Sequence, residues 1–296
     1  MEVPDESLMV SPIPLSSLVI TRESVWDALM FALMWELVNR VSRVGIQKMV
    51  EVLKVSERYR GSLIATGPSY MTSVIHSLVM TYRGYRDLWG IWPSPPVVQM
   101  CGSKANVPWE VIAPYAGTLE GIYLTARIFF GYMLYDTAHV IVEFPQLGGM
   151  DMVLHHVVFM GGIYLGIVSR AMYFPFTWLI STELSTIFLN LRWFCAKSGY
   201  GEGKEIAVVS YLFAAAFLFS RVLLFGYGLV HFWMHRAALS VCSTAFLYPA
   251  TRFIVTGGYF LNVFWFGKIL QVAARGGARK SMEHDHTKEA ADAKSK

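Results

Sequence analysis

Two adjacent imidazoles, His155 and His156, stand in a strongly apolar stretch near residues 152–170, and Asp151 lies four residues before His155. A carboxylate one helical turn away can orient or charge an imidazole. Histidine has an unperturbed pKa of about 6.5, which suits proton transfer. On a helix His156 points about 100° away from His155, so the doublet is poor glue between helices. A second group lies upstream. Tyr132, Asp136, His139 and Glu143 fall at i, i+4, i+7 and i+11 and share one helix face, with Asp136 in reach of His139. A third group, Glu183, Thr186 and Asn190, falls at i, i+3 and i+7 and is followed by Arg192. Arg221 and Asn262 sit inside later apolar stretches, and His76 lies in an earlier one with Ser73 and Ser77.

The chemistry open to these groups is proton transfer or nucleophilic attack by an imidazole held by a carboxylate. Metal chemistry fits less well. There are eight histidines, but only His231 and His235 read HxxxH, and no set of histidine boxes for two irons assembles. A single zinc on His139, His155 and a carboxylate is allowed by ligand type, yet no spacing demands it, and no metal is expected. Arg221, Asn262 and His76 read first as interhelical glue, with Arg221 a partner for Glu183 or Asp136. Gly162 and Gly166 read as a close-packing GxxxG pair.

These residues need a scaffold that tolerates them. The chain has 296 residues, 54% hydrophobic and only 16% charged. Soluble domains carry roughly 25% charged residues, so an ordinary soluble protein and a disordered chain are both excluded. The expected class is all-α, a polytopic membrane protein. A net charge of +4 without a basic stripe gives no nucleic-acid surface. Cys101, Cys195 and Cys242 are too few for a disulfide framework. Residues 1–17 hold no basic residue, so no cleaved signal peptide is expected.

Spans are expected near 18–38, 65–82, 117–142, 152–170, 172–194, 207–233 and 243–271. The first is the weakest, since Asp27 and Glu36 interrupt it. The expected division is an N-terminal segment, 1–64, ending in a basic loop; a membrane domain, 65–272; and a disordered polar tail, 273–296. With seven spans, one side receives Arg40, Arg43, Lys48, Lys54, Arg58, Arg60, Lys197, Lys204 and the basic tail, more than twice the positive charge of the other side. The positive-inside rule makes that side, and the C-terminus, cytosolic. Asp136, His139, Glu143, His155, His156, Asn190 and Arg192 would then gather at the cytosolic leaflet. Such convergence of polar groups is a site hypothesis.

The runs GYMLYD (131–136), LHH (154–156) and TELSTIFLNLRWF (182–194), with Arg221 and LNVFWF (261–266), resemble the TLC-domain family over roughly residues 65–272. That family includes the ceramide synthases, the translocon-associated membrane proteins and several small TLC-domain-containing proteins, to which the likeness is greatest. The resemblance implies a barrel-like bundle of six helices around a cavity open to lipid, here preceded by one helix. It also implies the endoplasmic reticulum or a related membrane, and a role in lipid homeostasis. In the synthases the HH pair is the catalytic centre, which maps onto His155 and His156, with Glu183 as the acidic support on the next helix.

Three functions follow as expectations. The first is lipid handling by catalysis: acyl transfer from acyl-CoA to an amine such as a sphingoid base. His155 or His156 would act as base, with Asp136 or Asp151 fixing the tautomer. His139, Asn190, Arg192, Arg221 and Asn262 would line the substrate, and Arg192 with Lys197 would attract CoA phosphates. Acyl-CoA would be a co-substrate, membrane lipids the partners, and no resident cofactor is expected. The second is a non-enzymatic lipid binder, chaperone or cargo receptor using the same groups. The third and last is a transporter, for which no repeat or broken helix pair is visible. The lipid, the organelle and the oligomeric state stay open.

Overall fold

The structure is a computed structural model. It describes residues 22–102, 107–144, 147–200, 203–242 and 247–294; within these, the side chains of 22–24, 151, 165, 167–169, 240–242, 247–248 and 275–294 are not described. The described backbone is helical, without a strand. The long elements are α1 (Arg22–Val52), α2 (Glu57–Ile91), α5 (Ala116–Val142), α6 (Met150–Ser169) and α12 (Leu247–Lys294). Short helices α3 (Pro96–Cys101) and α4 (Trp109–Ile112) join α2 to α5. Two further rods are composite. The helix α7 (Tyr173–Ile180) passes through a 3-10 turn, Ser181–Glu183, into α8 (Leu184–Lys197). The helix α9 (Lys204–Phe217) passes through a π-helical turn, Leu218–Leu224, into α10 (Phe225–Met234), which α11 (Arg236–Cys242) follows.

Contacts along the rods fix their directions. Asp27 pairs with Arg127 and Glu36 with His139, so α1 and α5 run parallel. Ser77 meets Glu183 and Asn190 meets Ser73, so α2 and the α7–α8 rod run antiparallel. The rings of Phe217 with Phe266 and of Phe225 with Tyr259 set α12 antiparallel to the α9–α10 rod. The polypeptide therefore alternates up and down. Two of its helices, Lys204–Met234 and Pro249–Ala274, are long and apolar enough to cross a membrane by length and composition. A shorter apolar stretch, Met152–Tyr164, lies within α6.

Asp27 and Glu36 make the first helix the weakest span on sequence. In the fold Asp27 is met by Arg127, and Glu36 accepts from His139 at 2.9 Å and from Arg40. Trp35 donates its indole N–H to the Ile128 carbonyl at 3.3 Å, and Asn39 donates to Tyr135. Paired charges are tolerable where lone ones are not. The helix is also longer than expected, and only residues 53–56 separate it from α2. The stretch expected as a basic loop is therefore mostly helix. The backbone of α12 likewise continues through the polar residues beyond Arg275.

Two glycines permit close approaches. At Gly131 a Cβ would lie 3.0 Å from the backbone of Phe31 and Ala32, so α5 meets α1 backbone to backbone there. At Gly84 a Cβ would lie 2.9 Å from Ser181 Oγ, which seats the 3-10 turn, and with it Glu183, against α2. Gly131→Val is expected to destabilise the protein by about 1–3 kcal/mol, the usual cost of overpacking. A lowered melting temperature in detergent checks this, and unchanged melting would place α1 elsewhere.

Two sequence expectations fail. Gly162 has nothing within 4 Å of a built Cβ and Gly166 only the Ala171 carbonyl at 3.9 Å, so the GxxxG pair packs against no helix. The reason is that α6 packs mainly on α5 and leaves Leu154, Val157 and Phe159 exposed. Cys101, which was given no role, is disulfide-bonded at the end of α3, whereas Cys195 is a free, half-buried thiol near the end of α8.

Candidate functional site

The polar groups meet in one layer, toward the end of the bundle where α5 finishes and α6 begins. Asp136 on α5 places Oδ2 3.4 Å from His156 Nε2 on α6. The other ring nitrogen of His156, Nδ1, lies 3.2 Å from the Thr137 hydroxyl, and the imidazole is 4% exposed. The Tyr132 hydroxyl lies beside Asp136 and Ser73. Tyr70, stacked on Trp193 at 3.9 Å, also faces Asp136.

The opposite wall comes from the α7–α8 rod and the π turn. Ser77 donates to Glu183 Oε2 at 3.1 Å, and the Asn190 amide donates to Ser73 Oγ at 2.8 Å. Arg221 stands in the π turn, a departure from α geometry that is frequent at functional sites. Its Nε donates to Ser185 Oγ at 2.7 Å and an Nη to Thr186 Oγ1 at 3.2 Å. The guanidinium also lies within electrostatic range of Glu183 and of His155. The His155 ring rests on Phe159 at 4.4 Å, and neither of its nitrogens has a hydrogen-bond partner among the described residues. Asp136 therefore pairs with one imidazole, while the guanidinium lies near Glu183 and the other imidazole. An apolar surround strengthens each of these interactions relative to water.

The structure thus brings together Asp136, His155, His156, Glu183, Asn190 and Arg221. It does not bring in the rest of the expected set. His139 faces away: its Nε2 meets Glu36 and its Nδ1 lies 3.4 Å from Glu143. Three residues make 300° on a helix, not a full turn, so the stripe divides. Tyr132 and Asp136 face the layer, and His139 faces α1 through Glu36, with Glu143 beside it. Asp136 accordingly finds its imidazole on α6 rather than one turn on. Arg192 is exposed and donates to Ser210 on α9 at 3.1 Å. Asn262 bonds back to the Gly258 carbonyl of its own helix, and its Oδ1 is buried without a partner. Arg221 makes no ion pair with Asp136 or Glu183, because the hydroxyls of Ser185 and Thr186 hold it. His76 is no hydrogen-bonding glue either: neither nitrogen has a partner among the described residues, and the ring is stacked on Tyr132 at 3.5 Å. Asp151 lies outside the described side chains. Among the described residues, no three His, Cys, Asp or Glu gather as a metal site.

Hydroxyl residues are what sequence reasoning missed as members of the layer. Ser73, Ser77, Thr137, Ser185 and Tyr70 hold the ionisable groups, but serine and threonine are common in buried helices and carry no signal alone. The one available cue was position, since Thr137 adjoins Asp136 and the two serines flank His76.

A family model for the TLC domain matches residues 69–271, which include every member of the layer. A TLC domain-containing protein 4 A of Dictyostelium discoideum is 22% identical over 92 residues, 30% of this chain, and the match spans 36% of that relative's length. With the model match running over more than half of the chain, from α2 to α12, the protein belongs to the TLC-domain family.

Proposed function

We propose that the protein crosses a membrane seven times and shapes its lipid composition, acting on lipid at the layer of Asp136, His155, His156, Glu183 and Arg221. The reaction class favoured is acyl transfer from acyl-CoA to a lipid amine. What carries the reading is the Asp136–His156 pair at 3.4 Å, beside a His155 ring that rests on Phe159 and has no hydrogen-bond partner among the described residues. The amine nitrogen attacks the thioester carbonyl and passes its proton to His155. The carbon–sulfur bond breaks, and the imidazolium returns that proton to the departing thiolate, leaving an amide and the free thiol of CoA. His156, held by Asp136, keeps the layer's second proton in place.

A cytosolic position for the layer suits a CoA donor. The Lys and Arg bias puts that end of the bundle, and the C-terminus, toward the cytosol. The disulfide of Cys101 at the far end suits an oxidising lumen or exterior. The membrane is that of the endoplasmic reticulum, another endomembrane or the cell surface. In sealed microsomes Cys195 is expected to react with a membrane-impermeant maleimide without detergent. Reaction only after permeabilisation would reverse the orientation.

The activity test is purified protein with acyl-CoA and a long-chain base. Amide product is expected from the natural chain and none from His155→Ala with His156→Ala. Product that survives the double substitution would sink the catalytic reading. Tightly retained lipid without product would assign the layer to binding instead.

A further inference from the structure

Besides the distant Met160 sulfur at 4.0 Å, the hydroxyl of Thr137 has one proton and two calls upon it. It lies 2.5 Å from the Met133 carbonyl and 3.2 Å from His156 Nδ1. The shorter contact is the bond back to the i−4 carbonyl that a threonine inside a helix commonly makes. The proton therefore goes to Met133, and the oxygen turns a lone pair to the imidazole. A lone pair can only accept, so Nδ1 must carry a hydrogen.

This decides the state of the other nitrogen. With Nδ1 protonated, the neutral ring presents a bare Nε2 to Asp136 Oδ2 at 3.4 Å. A bare nitrogen and a carboxylate repel, so one proton resides between them, on the carboxyl or on the ring. Had Nδ1 been bare, Nε2–H would simply donate to an ionised Asp136, and the pair would hold no extra proton. We propose that Thr137 is a positioning residue that locks His156 as the Nδ1–H form and thereby makes Asp136 and His156 a one-proton store beside His155. The proposal rests on the reading of this pair as the working centre. Other groups cannot replace the hydroxyl. On α5, Tyr132 lies on the Asp136 side, and His139 is engaged by Glu36 and Glu143. Glu183 and Tyr70 also face Asp136, and Arg221 faces His155. The remaining neighbour of Thr137 is the Met160 sulfur at 4.0 Å, a weak acceptor.

The experiment reads the tautomer directly. The full chain in nanodiscs carries histidine labelled with 13C and 15N, and the His156 signals are assigned by their loss in His156→Gln. In the natural chain the shifts should report a protonated Nδ1. In Thr137→Val, Nδ1–H has no acceptor, so the signals should change to the Nε2–H form, and turnover should fall by about 10–100-fold, as when an orienting partner is removed. Thr137→Ser should restore both. A natural chain with Nδ1 bare, or unchanged His156 signals in Thr137→Val, overturns the proposal. Should Thr137→Val not fold, the natural chain and Thr137→Ser decide it, since both must keep Nδ1–H. The expected tautomer in a protein without turnover would leave this inference standing and remove the catalytic reading alone.

Discussion

In an Asp136→Asn variant, amide formation is expected to fall by about 10²–10⁴-fold, the usual contribution of a positioned acid or base. The substitution preserves shape. It removes only the ability to take up a proton, because an amide has hydrogens to donate and an oxygen to accept but no site that titrates. Facing the bare Nε2 of His156, the new side chain would turn its NH2 toward the ring and satisfy it. The layer would stay assembled: Ser77 still bonds Glu183, Asn190 still bonds Ser73, and Arg221 still has its two hydroxyls. Lipid retained on purification should therefore be unchanged while product disappears. Full turnover in the variant would make Asp136 a structural group and leave His155 to act alone. Loss of retained lipid together with turnover would show instead that the carboxylate grips the substrate. A paired Glu183→Gln variant separates the two carboxylates, since Glu183 does not contact His156.

The parts of this site that were legible beforehand were those written in helical spacing. The HH doublet had to split in two directions, and it does: His156 is buried against Asp136, while His155 faces Arg221. The meeting of α5, α6 and the α7–α8 rod at one end follows from alternation alone. What spacing could not convey was contact between residues far apart in the chain. Nothing near Asp27 or Glu36 announces Arg127 and His139, about 100 positions away, so two paired charges looked like two defects. Arg221 looked like an ion-pair partner for Glu183 or Asp136 because an arginine inside an apolar stretch calls first for a carboxylate. The π turn at Leu218–Leu224 adds a residue to the local turn, and the guanidinium meets Ser185 and Thr186. Disulfide pairing is equally silent in a sequence with three cysteines.

The same long-range packing makes Trp35→Ala the most damaging substitution expected outside the polar layer, at about 3–5 kcal/mol for a fully buried tryptophan. Trp35 is 2% exposed although most of its helix faces outward. Its indole N–H bonds the Ile128 carbonyl, and its ring meets His76 and Tyr132 edge-on at 5.4 Å each. Truncation leaves a cavity among Met80, Phe129 and Tyr132 and releases α1 from the middle of α5. The remaining contacts of α1 with α5 include the ion pairs of Asp27 and Glu36, the Asn39 bond to Tyr135 and the close approach at Gly131. A consequence for chemistry follows from the position of Tyr132. Its ring is clamped between Trp35 and His76, and its hydroxyl lies beside Asp136. Loss of the clamp should therefore lower turnover as well as melting temperature. Trp35→Phe, which keeps an aromatic ring but loses the N–H and part of the indole's volume, should recover part of both. Equal damage from the two variants would show that the site needs the whole indole, with its N–H to Ile128, rather than any aromatic ring. Unchanged melting in Trp35→Ala would mean that α1 does not dock on α5 in the membrane.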